Sequence, residues 1–234
     1  MGLCLPRLEG ERMKLKEMRG NKFPDDYLVR FFFKNGLDKK EKGEVIEFGC
    51  GNGSNLRLFK DFDWSILGVD KTQKTCDDFR HNFSDASNAY FWMADLNNDF
   101  PKTAWEFDVL LFPSSLYYLP QKKMEEVLTE SRKIANPGAL FFIRMRDFDD
   151  YRYKKGKDVS PNGTKLDISE TGEEGETIYF YTVFELLSIL EKTLRISSDC
   201  VVLKANFENI QNNRVIDNSD TIIWGRLANE SEAR

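Results

Sequence analysis

The chain has 234 residues, of which 41% are hydrophobic, and carries a formal net charge of −5 with a pI near 5.2. A chain of this length is typical of one domain with a sizeable core, which needs no disulfide bonds to fold. The acidic balance disfavours nonspecific binding to nucleic acid. There is no apolar run long enough to span a membrane and no signal-peptide pattern, and the four cysteines form no C-x-x-C pair. We therefore expect a cytoplasmic protein without a membrane segment, a zinc site or a disulfide framework.

Hydrophobic periodicity along the first part of the chain alternates between strand and helix. The fifth strand is apolar on both faces, as a central parallel strand should be. This order predicts an open, doubly wound α/β sheet with right-handed crossovers. The predicted strands are 45–49, 65–70, 89–95, 107–112 and 139–145, the predicted helices are 54–62, 72–83 and 122–135, and the last helix should end in a turn at 136–138.

The last third of the chain departs from this rhythm. Residues 148–176 are rich in Gly, Asp, Glu and Lys and carry little apolar pattern, which predicts an irregular insertion at about 148–178. We favour a lid or an acceptor-binding element over a plain linker, because the segment leaves the carboxyl end of the fifth strand. A helix over 182–193 should follow. Strands at 201–206 and 221–227 have no helix between them, which predicts an antiparallel pair at one edge of a seven-stranded, mostly parallel sheet.

The most informative motif follows the first strand and runs from Glu47 to Gly53, with a glycine at every second position from Gly49. Glycines of this kind let a ligand lie against bare backbone at the carboxyl end of a strand. A dinucleotide-binding loop requires a third glycine where this chain has Ser54, and no Gly-Lys-Ser/Thr of a P-loop follows. The motif therefore predicts a small-molecule site of another kind.

Acidic residues also follow the next two strands. Asp70 ends the second strand, where a carboxylate can accept two hydrogen bonds from a vicinal diol. Asp95 follows the third strand within Met93-Ala94-Asp95-Leu96. It could bind the same ligand, or alternatively its side chain could cap a turn. Acids after three successive strands are much stronger evidence for one ligand than any of them alone.

These residues resemble the class I S-adenosylmethionine-dependent methyltransferases of the small-molecule type, over about residues 19–227. The resemblance implies a Rossmann-like fold, S-adenosylmethionine as cofactor and S-adenosylhomocysteine as product. It also implies that Glu47, where Asp is commoner, meets the amino group of the cofactor, that Asp70 binds its ribose and that Asp95 reads its adenine. The positions implied to bind the cofactor in this domain are Glu47, Gly49, Cys50, Gly51, Gly53, Asn55, Asp70, Lys71, Asp95, Leu96, Phe112 and Pro113.

Residues 19–31 are similar to an N-terminal segment that folds over the cofactor in some members of this family. The resemblance implies that Arg19 pairs with the methionine carboxylate and that Phe23 covers the sulfonium. The alternative is an amphipathic helix that only packs on the sheet. The expected organisation is an N-terminal helical cap at 1–40 and a methyltransferase domain at 41–234.

The segment after the fourth strand is where the methyl acceptor approaches in this family. Phe112-Pro113-Ser114-Ser115 stands where methylases of adenine or glutamine amides carry Asn/Asp-Pro-Pro-Tyr, which argues against that class. Tyr117 and Tyr118 stand where many small-molecule members have a histidine base. The single histidine, His81, falls in a predicted helix, so histidine base catalysis is not expected.

Two arginines, Arg144 and Arg146, end the fifth strand, where they could bind a phosphate or carboxylate of the acceptor. The alternative is pairing with Asp149, Asp150 or the acidic insertion. The candidate catalytic residues are Tyr117, Tyr118, Arg144 and Arg146.

The expected function is methyl transfer from S-adenosylmethionine to a nitrogen or oxygen of a small, anionic or carbohydrate-like metabolite. The resemblance alone points to substrates of polysaccharide or secondary metabolism. One alternative is an RNA or protein methyltransferase, which the basic residues between positions 7 and 22 would favour. Another is a noncatalytic S-adenosylmethionine-binding protein. No metal is expected, and the chain should be a monomer or a homodimer.

Overall fold

The computed structural model describes residues 13–211 and 214–228. The chain divides into two compact units, Met1–Leu111 and Phe112–Arg234, called here the N-terminal and the C-terminal unit. Arg7 and Arg12 of the predicted basic cluster, and the first part of the predicted cap, lie outside the described residues. Within the described residues, no helix is both long enough and apolar enough to cross a membrane.

The N-terminal unit alternates helices and parallel strands, as predicted. Strand β1 pairs in parallel with β2 and β4, and β2 pairs in parallel with β3. Because parallel strands end at the same edge of a sheet, the segments after β1, β2 and β3 meet at one edge. The elements are α1 (Asp26–Lys34), β1 (Glu44–Phe48), α2 (Ser54–Asp61), β2 (Ser65–Asp70), α3 (Gln73–Asn82), β3 (Ala89–Met93) and β4 (Phe107–Phe112), the last of which reaches the boundary of the unit.

Helix α1 begins where the Asp25 carboxylate accepts hydrogen bonds from the amides of Tyr27 and Leu28. Its apolar face is fully buried, and the ring of Phe32 lies edge-on to that of Phe59 with centroids 4.9 Å apart. The helix therefore contributes to the core of the N-terminal unit, which is the packing that the amphipathic alternative implied.

The C-terminal unit is built on antiparallel strands. Strand β10 pairs with both β5 and β9 in antiparallel register. The complete sheet has seven strands in the order β3-β2-β1-β4-β5-β10-β9, so the predicted Rossmann-like fold and its antiparallel edge pair are confirmed. The elements are α4 (Gln121–Lys133), β5 (Ala135–Arg146), β6 (Gly156–Val159), β7 (Gly163–Leu166), β8 (Thr177–Tyr179), α5 (Val183–Thr193), β9 (Val201–Gln211) and β10 (Arg214–Arg226).

The boundaries of β5 correct one prediction. The predicted turn at 136–138 is already part of β5, which starts at Ala135. Proline is tolerated near the start of a strand, where its missing N–H removes no ladder bond, and Gly138 adopts a φ of +71°. Regular pairing with β10 begins at Leu140, opposite Arg226, and the preceding Ala139 carbonyl accepts from the Leu227 amide at 2.8 Å. Pro and Gly therefore mark an irregular strand start here and not a separate turn.

The segment predicted to be irregular contains a second sheet. Strands β6, β7 and β8 pair antiparallel in that order. The sequence hid these strands because they are short and carry glycine for close packing. A Cβ on Gly156 would lie 2.0 Å from the Lys165 carbonyl oxygen, and one on Gly163 would lie 2.9 Å from the Tyr179 ring. The insertion therefore contains strands, although its charged residues and glycines give it the composition of a loop.

Candidate functional site

The glycine motif forms a tight loop after β1. The amides of Gly49 and Cys50 both donate to the Val69 carbonyl, at 2.8 and 3.0 Å, which ties the loop to β2. Gly51 has a φ of +54°, and a Cβ built on it would meet nothing within 4 Å. Gly53 has a φ of +82°, but its Cβ would lie 2.5 Å from the ring of Phe83. Gly53 is therefore required by packing, whereas Gly51 presents bare backbone to open space.

Glu47 is a buried acidic residue of the N-terminal unit, with only 1% of its surface exposed. One oxygen accepts from Asn55 Nδ2 at 2.7 Å, and the other has no hydrogen-bond partner among the described residues. Burial raises the pKa of Glu47 to about 8, helped by the nearby charges of Asp70 and Asp25 and opposed by the bond from Asn55. A cationic donor such as an ammonium group would satisfy the second oxygen and favour the ionised form.

Asp70 connects the glycine loop to the start of α3. Its Oδ2 accepts from the Gly51 amide at 2.9 Å, and its Oδ1 accepts from the Lys71 amide at 2.8 Å and from Thr75 Oγ1 at 3.0 Å. The Lys71 side chain is exposed. A carboxylate offers about four acceptor positions, so Asp70 can hold the loop and still accept from a further hydroxyl.

Asp95 lies after β3 and caps a turn, which is the alternative that its sequence position left open. Its carboxylate accepts from the Asn97 amide at 3.0 Å and from Asn98 Nδ2 at 2.8 Å. The bond from the Asn97 amide is the main reason why the pKa of Asp95 is lowered, against the effect of burial. Its contact with adenine, and that of the half-buried Leu96 beside it, stay predictions.

The N-terminal segment is fastened to the glycine loop through two asparagines. Asn52 Nδ2 donates to the carbonyls of Arg19 and Asn21, both at 2.6 Å. Asn82, which is fully buried in α3, accepts from the Arg19 amide at 2.8 Å and donates to the Asn52 carbonyl at 3.0 Å. The ring of Phe23 is 71% exposed. Sequence reasoning missed Asn82, since nothing in a lone asparagine late in a helix signals this bridging role.

The Arg19 side chain is about half exposed, with Nη1 3.8 Å from Asp78 Oδ1. Because the pair is long and the arginine is half exposed, Asp78 holds the guanidinium only weakly, so the guanidinium can reach other anions. His81 accompanies this segment in a structural role, with Nε2 3.0 Å from the Glu17 carbonyl oxygen.

In the C-terminal unit, residues 113–119 form the segment called here the acceptor loop. Phe112, the last residue of β4, and Pro113 are buried. The hydroxyl of Ser115, which is also buried, has no partner among the described residues. The rings of Tyr117 and Tyr118 lie with centroids 4.6 Å apart.

Tyr118 donates its hydroxyl hydrogen to Glu173 Oε1 at 2.8 Å. Burial, with the negative charges that Tyr117 and Glu173 can carry, raises the pKa of Tyr118 far above its ordinary value. The phenol therefore stays protonated and acts as a donor, which opposes a role for Tyr118 as general base.

The two arginines of β5 are engaged by protein carboxylates. Arg144 Nε donates to Asp220 Oδ2 at 2.9 Å, and Arg146 Nη1 donates to Asp220 Oδ1 at 2.9 Å. Arg146 also lies 3.4 Å from Asp150 Oδ2, and its guanidinium carbon lies 5.4 Å from the centroid of the Tyr117 ring. The arginines are therefore paired with protein carboxylates, which was the alternative to binding an acceptor. Their chief partner is Asp220, whereas the sequence had indicated Asp149, Asp150 or the acidic insertion. Asp220 faces Arg146 across the β10–β5 register, which the sequence alone does not reveal.

A family model described as a methyltransferase domain matches residues 16–193, which is well over half of the chain. No curated protein sequence matches the chain.

Solved structures share the fold at low identity. An S-adenosylmethionine-dependent methyltransferase from Methanosarcina mazei superposes with a TM-score of 0.62 at 16% identity, covering 83% of this chain and 97% of that one. The N-terminal domain of EvdMO1 with S-adenosylhomocysteine bound gives 0.60 at 16% identity, covering 88% and 82%. The methyltransferase CcbJ from Streptomyces caelestis gives 0.60 at 12% identity, covering 92% and 94%.

Proposed function

Because the chain belongs to the class I S-adenosylmethionine-dependent methyltransferase family, we propose that it transfers the methyl group of S-adenosylmethionine to a small, carbohydrate-like metabolite. The cofactor supplies a methyl group on a sulfonium, which is electrophilic enough to react with an aligned nucleophile. The observation that carries the proposal is the buried carboxylate of Glu47, with one oxygen unpartnered among the described residues, beneath the open glycine loop.

The residues of the N-terminal unit fit the cofactor group by group. Glu47 would accept from the amino group, and the bare backbone at Gly51 would lie against the methionine portion. Asp70 would accept from a ribose hydroxyl while it holds the loop. Arg19 would pair with the carboxylate, and Phe23 would cover the sulfonium. The attachment of residues 19–21 to Asn52 supports these last two roles, because it keeps the segment beside the loop.

The acceptor would be bound in the C-terminal unit by the acceptor loop and the end of β5. Tyr117, stacked on Arg146, and the hydroxyls of Ser115 and Tyr118 suit an uncharged polyhydroxyl compound. Arg144 and Arg146 are already paired with Asp220, and Arg146 also with Asp150, so two carboxylates offset the charge of the two arginines. This favours a carbohydrate-like acceptor over an anionic one. A structure of EvdMO1 was obtained in the presence of S-adenosylhomocysteine and D-fucose, which agrees with such a class.

Catalysis would rest on alignment more than on a general base. Tyr118 is a donor and not a base, and His81 of α3 is engaged with the backbone carbonyl of Glu17. Holding a nucleophile in near-attack geometry can lower a barrier by roughly 7–11 kcal/mol. This suits an amine or an acidic hydroxyl, and an unactivated alcohol would need a carboxylate such as Asp147 to take its proton.

Calorimetry with S-adenosylhomocysteine and with NAD tests the cofactor assignment. We expect binding of the former alone, and its loss in Gly51→Val, because a β-branched side chain would fill the space beside the loop. Gly36→Val is the matched control, since Gly36 also has a positive φ and open space but lies away from the motif. Tight NAD binding, or normal binding by Gly51→Val, would overturn the assignment.

The acceptor class is tested by incubating the protein with methyl-labelled cofactor and two matched sets of compounds, free sugars and their phosphates. Label transfer to the free sugars is expected. Transfer to the phosphates alone would show that the acceptor is anionic. Cofactor binding without transfer to either set would favour a noncatalytic binding protein.

A further inference from the structure

Glu173 lies in a turn of the insertion whose backbone is fixed by hydrogen bonds and by two glycines. Gly172 and Gly175 flank the turn with φ values of +72° and +84°, and the Gly175 amide donates to the Leu166 carbonyl of β7 at 2.9 Å. The Glu176 amide closes the turn on the Glu173 carbonyl at 3.1 Å. The backbone therefore fixes where the Glu173 side chain begins.

The carboxylate of Glu173 joins two groups from different parts of the C-terminal unit. Its Oε1 accepts from the Tyr118 hydroxyl of the acceptor loop at 2.8 Å. Its Oε2 accepts from Arg152 Nε. Burial opposes ionisation of Glu173, but the bonds from Arg152 and Tyr118 outweigh it and lower the pKa of Glu173.

Arg152 is held in turn by buried partners, since only 6% of it is exposed. Its Nη1 donates to Asp150 Oδ1 at 3.1 Å and to Asn218 Oδ1 at 3.2 Å. Asp150 also accepts from the Ser219 amide of β10 at 3.1 Å. A buried charge network of this kind is stable only when every member keeps its partner. These hydrogen bonds run from β10 through Asp150 and Arg152 to Glu173, and they form a rigid support for the hydroxyl of Tyr118.

We propose that Glu173 is a positioning residue, which fixes the Tyr118 hydroxyl and fastens the turn at residues 172–175 to the acceptor loop. Because one carboxylate joins the turn to the loop, its loss should loosen both segments. The role in positioning an acceptor rests on the proposed function, whereas the mechanical coupling does not.

Amide hydrogen exchange tests the coupling in Glu173→Ala, with Glu174→Ala as the matched control because Glu174 is an exposed neighbour in the same turn. In Glu173→Ala, protection should fall about tenfold or more in both 116–119 and 172–176, since bonds to a charged group are lost. The control should match the wild type. Loss of protection in the turn alone, or in neither segment, would overturn the proposal. If the alanine variant does not fold, Glu173→Gln removes the charge and keeps one acceptor oxygen, so protection should fall in both segments by a smaller factor, and unchanged protection would overturn the proposal.

A second readout follows the tyrosine itself. In protein carrying tyrosine labelled with carbon-13 at Cζ, the Tyr118 resonance is identified by its absence from Tyr118→Phe. In Glu173→Ala this resonance should move toward the position of exposed tyrosines, and in Glu174→Ala it should stay. An unmoved resonance in Glu173→Ala would contradict the proposal.

Binding of S-adenosylhomocysteine distinguishes a failure of the proposed function from a failure of the proposed role of Glu173. It should be within about twofold of wild type in Glu173→Ala, because Glu173 is not among the proposed cofactor contacts. If the wild type itself fails to bind, the proposed function falls, while the exchange and resonance data still decide whether Glu173 couples the turn to the loop.

Discussion

Replacing Glu47 with glutamine should stabilise the protein at neutral and alkaline pH while it weakens cofactor binding. The amide keeps the shape of the side chain and an oxygen that can accept from Asn55. It removes a charge that the buried site solvates poorly. Stability and cofactor affinity should therefore change in opposite directions, which is expected of a residue kept for function.

The size of the effect follows from the pKa of Glu47, which is about 8 in the folded protein against 4.5 for an ordinary glutamate. The folded state keeps a proton that the unfolded chain has already lost, so stability falls as the pH rises from about 4.5 to about 8 and then levels off. At about 1.4 kcal/mol per pH unit, the loss reaches about 5 kcal/mol. Glu47→Gln should escape this loss, and at pH 8 its Tm should be higher by roughly 10 °C.

Urea unfolding between pH 4 and pH 9 measures the difference. The two proteins should have similar stability near pH 4 and diverge steadily above it. Glu41→Gln is the control, because Glu41 is exposed just before β1 and should leave the pH dependence unchanged. If Glu47→Gln shows the same decline with pH as the wild type, the buried ionisation belongs to another group and our reasoning about Glu47 is wrong.

Three further substitutions test separate parts of the structure. Asp70→Asn should weaken S-adenosylhomocysteine binding about tenfold in calorimetry, because a neutral amide accepts more weakly from the loop amide and the ribose, and unchanged affinity would contradict the ribose role. Gly53→Ala should lower the free energy of unfolding in urea by about 2–3 kcal/mol, because of steric overlap and a positive φ. Gly36→Ala, which has a positive φ but free space, should lower it by about 1 kcal/mol. Equal costs would refute the packing argument for Gly53. Asp220→Asn should cost about 3–5 kcal/mol in the same unfolding measurement, because it removes the buried carboxylate that Arg144 and Arg146 share. The exposed Asp217→Asn on the same strand should be neutral. A small cost for Asp220→Asn would show that the two ion pairs contribute little to stability.

The parts of the structure that were predicted correctly depend on local sequence. The strand before Gly49 and the capped start of α5 at Thr182 follow from patterns within a few neighbouring residues. Glu47 near the end of β1, Asp70 at the end of β2 and Asp95 after β3 lie at one edge of the sheet, because parallel pairing aligns the ends of neighbouring strands. Local pattern and topology were enough for these elements.

The parts that were missed depend on contacts between distant residues. Asp220 reaches Arg144 and Arg146 only through the antiparallel register of β10 with β5. Glu173 meets Tyr118 only because a small second sheet carries its turn back to the acceptor loop. A charged residue in a polar stretch has no local signal for such a partner, and the strands that position it are short and rich in glycine.

The measurement that tests the central claim most directly is the number of protons released when S-adenosylhomocysteine binds. At pH 7 most Glu47 side chains should carry a proton, and an arriving ammonium group should displace it. Binding enthalpies in buffers of different ionisation enthalpy should therefore report the release of about one proton in the wild type and none in Glu47→Gln. Binding with no buffer dependence in the wild type, or an equal release in Glu47→Gln, would contradict the assignment of Glu47 to the amino group of the cofactor.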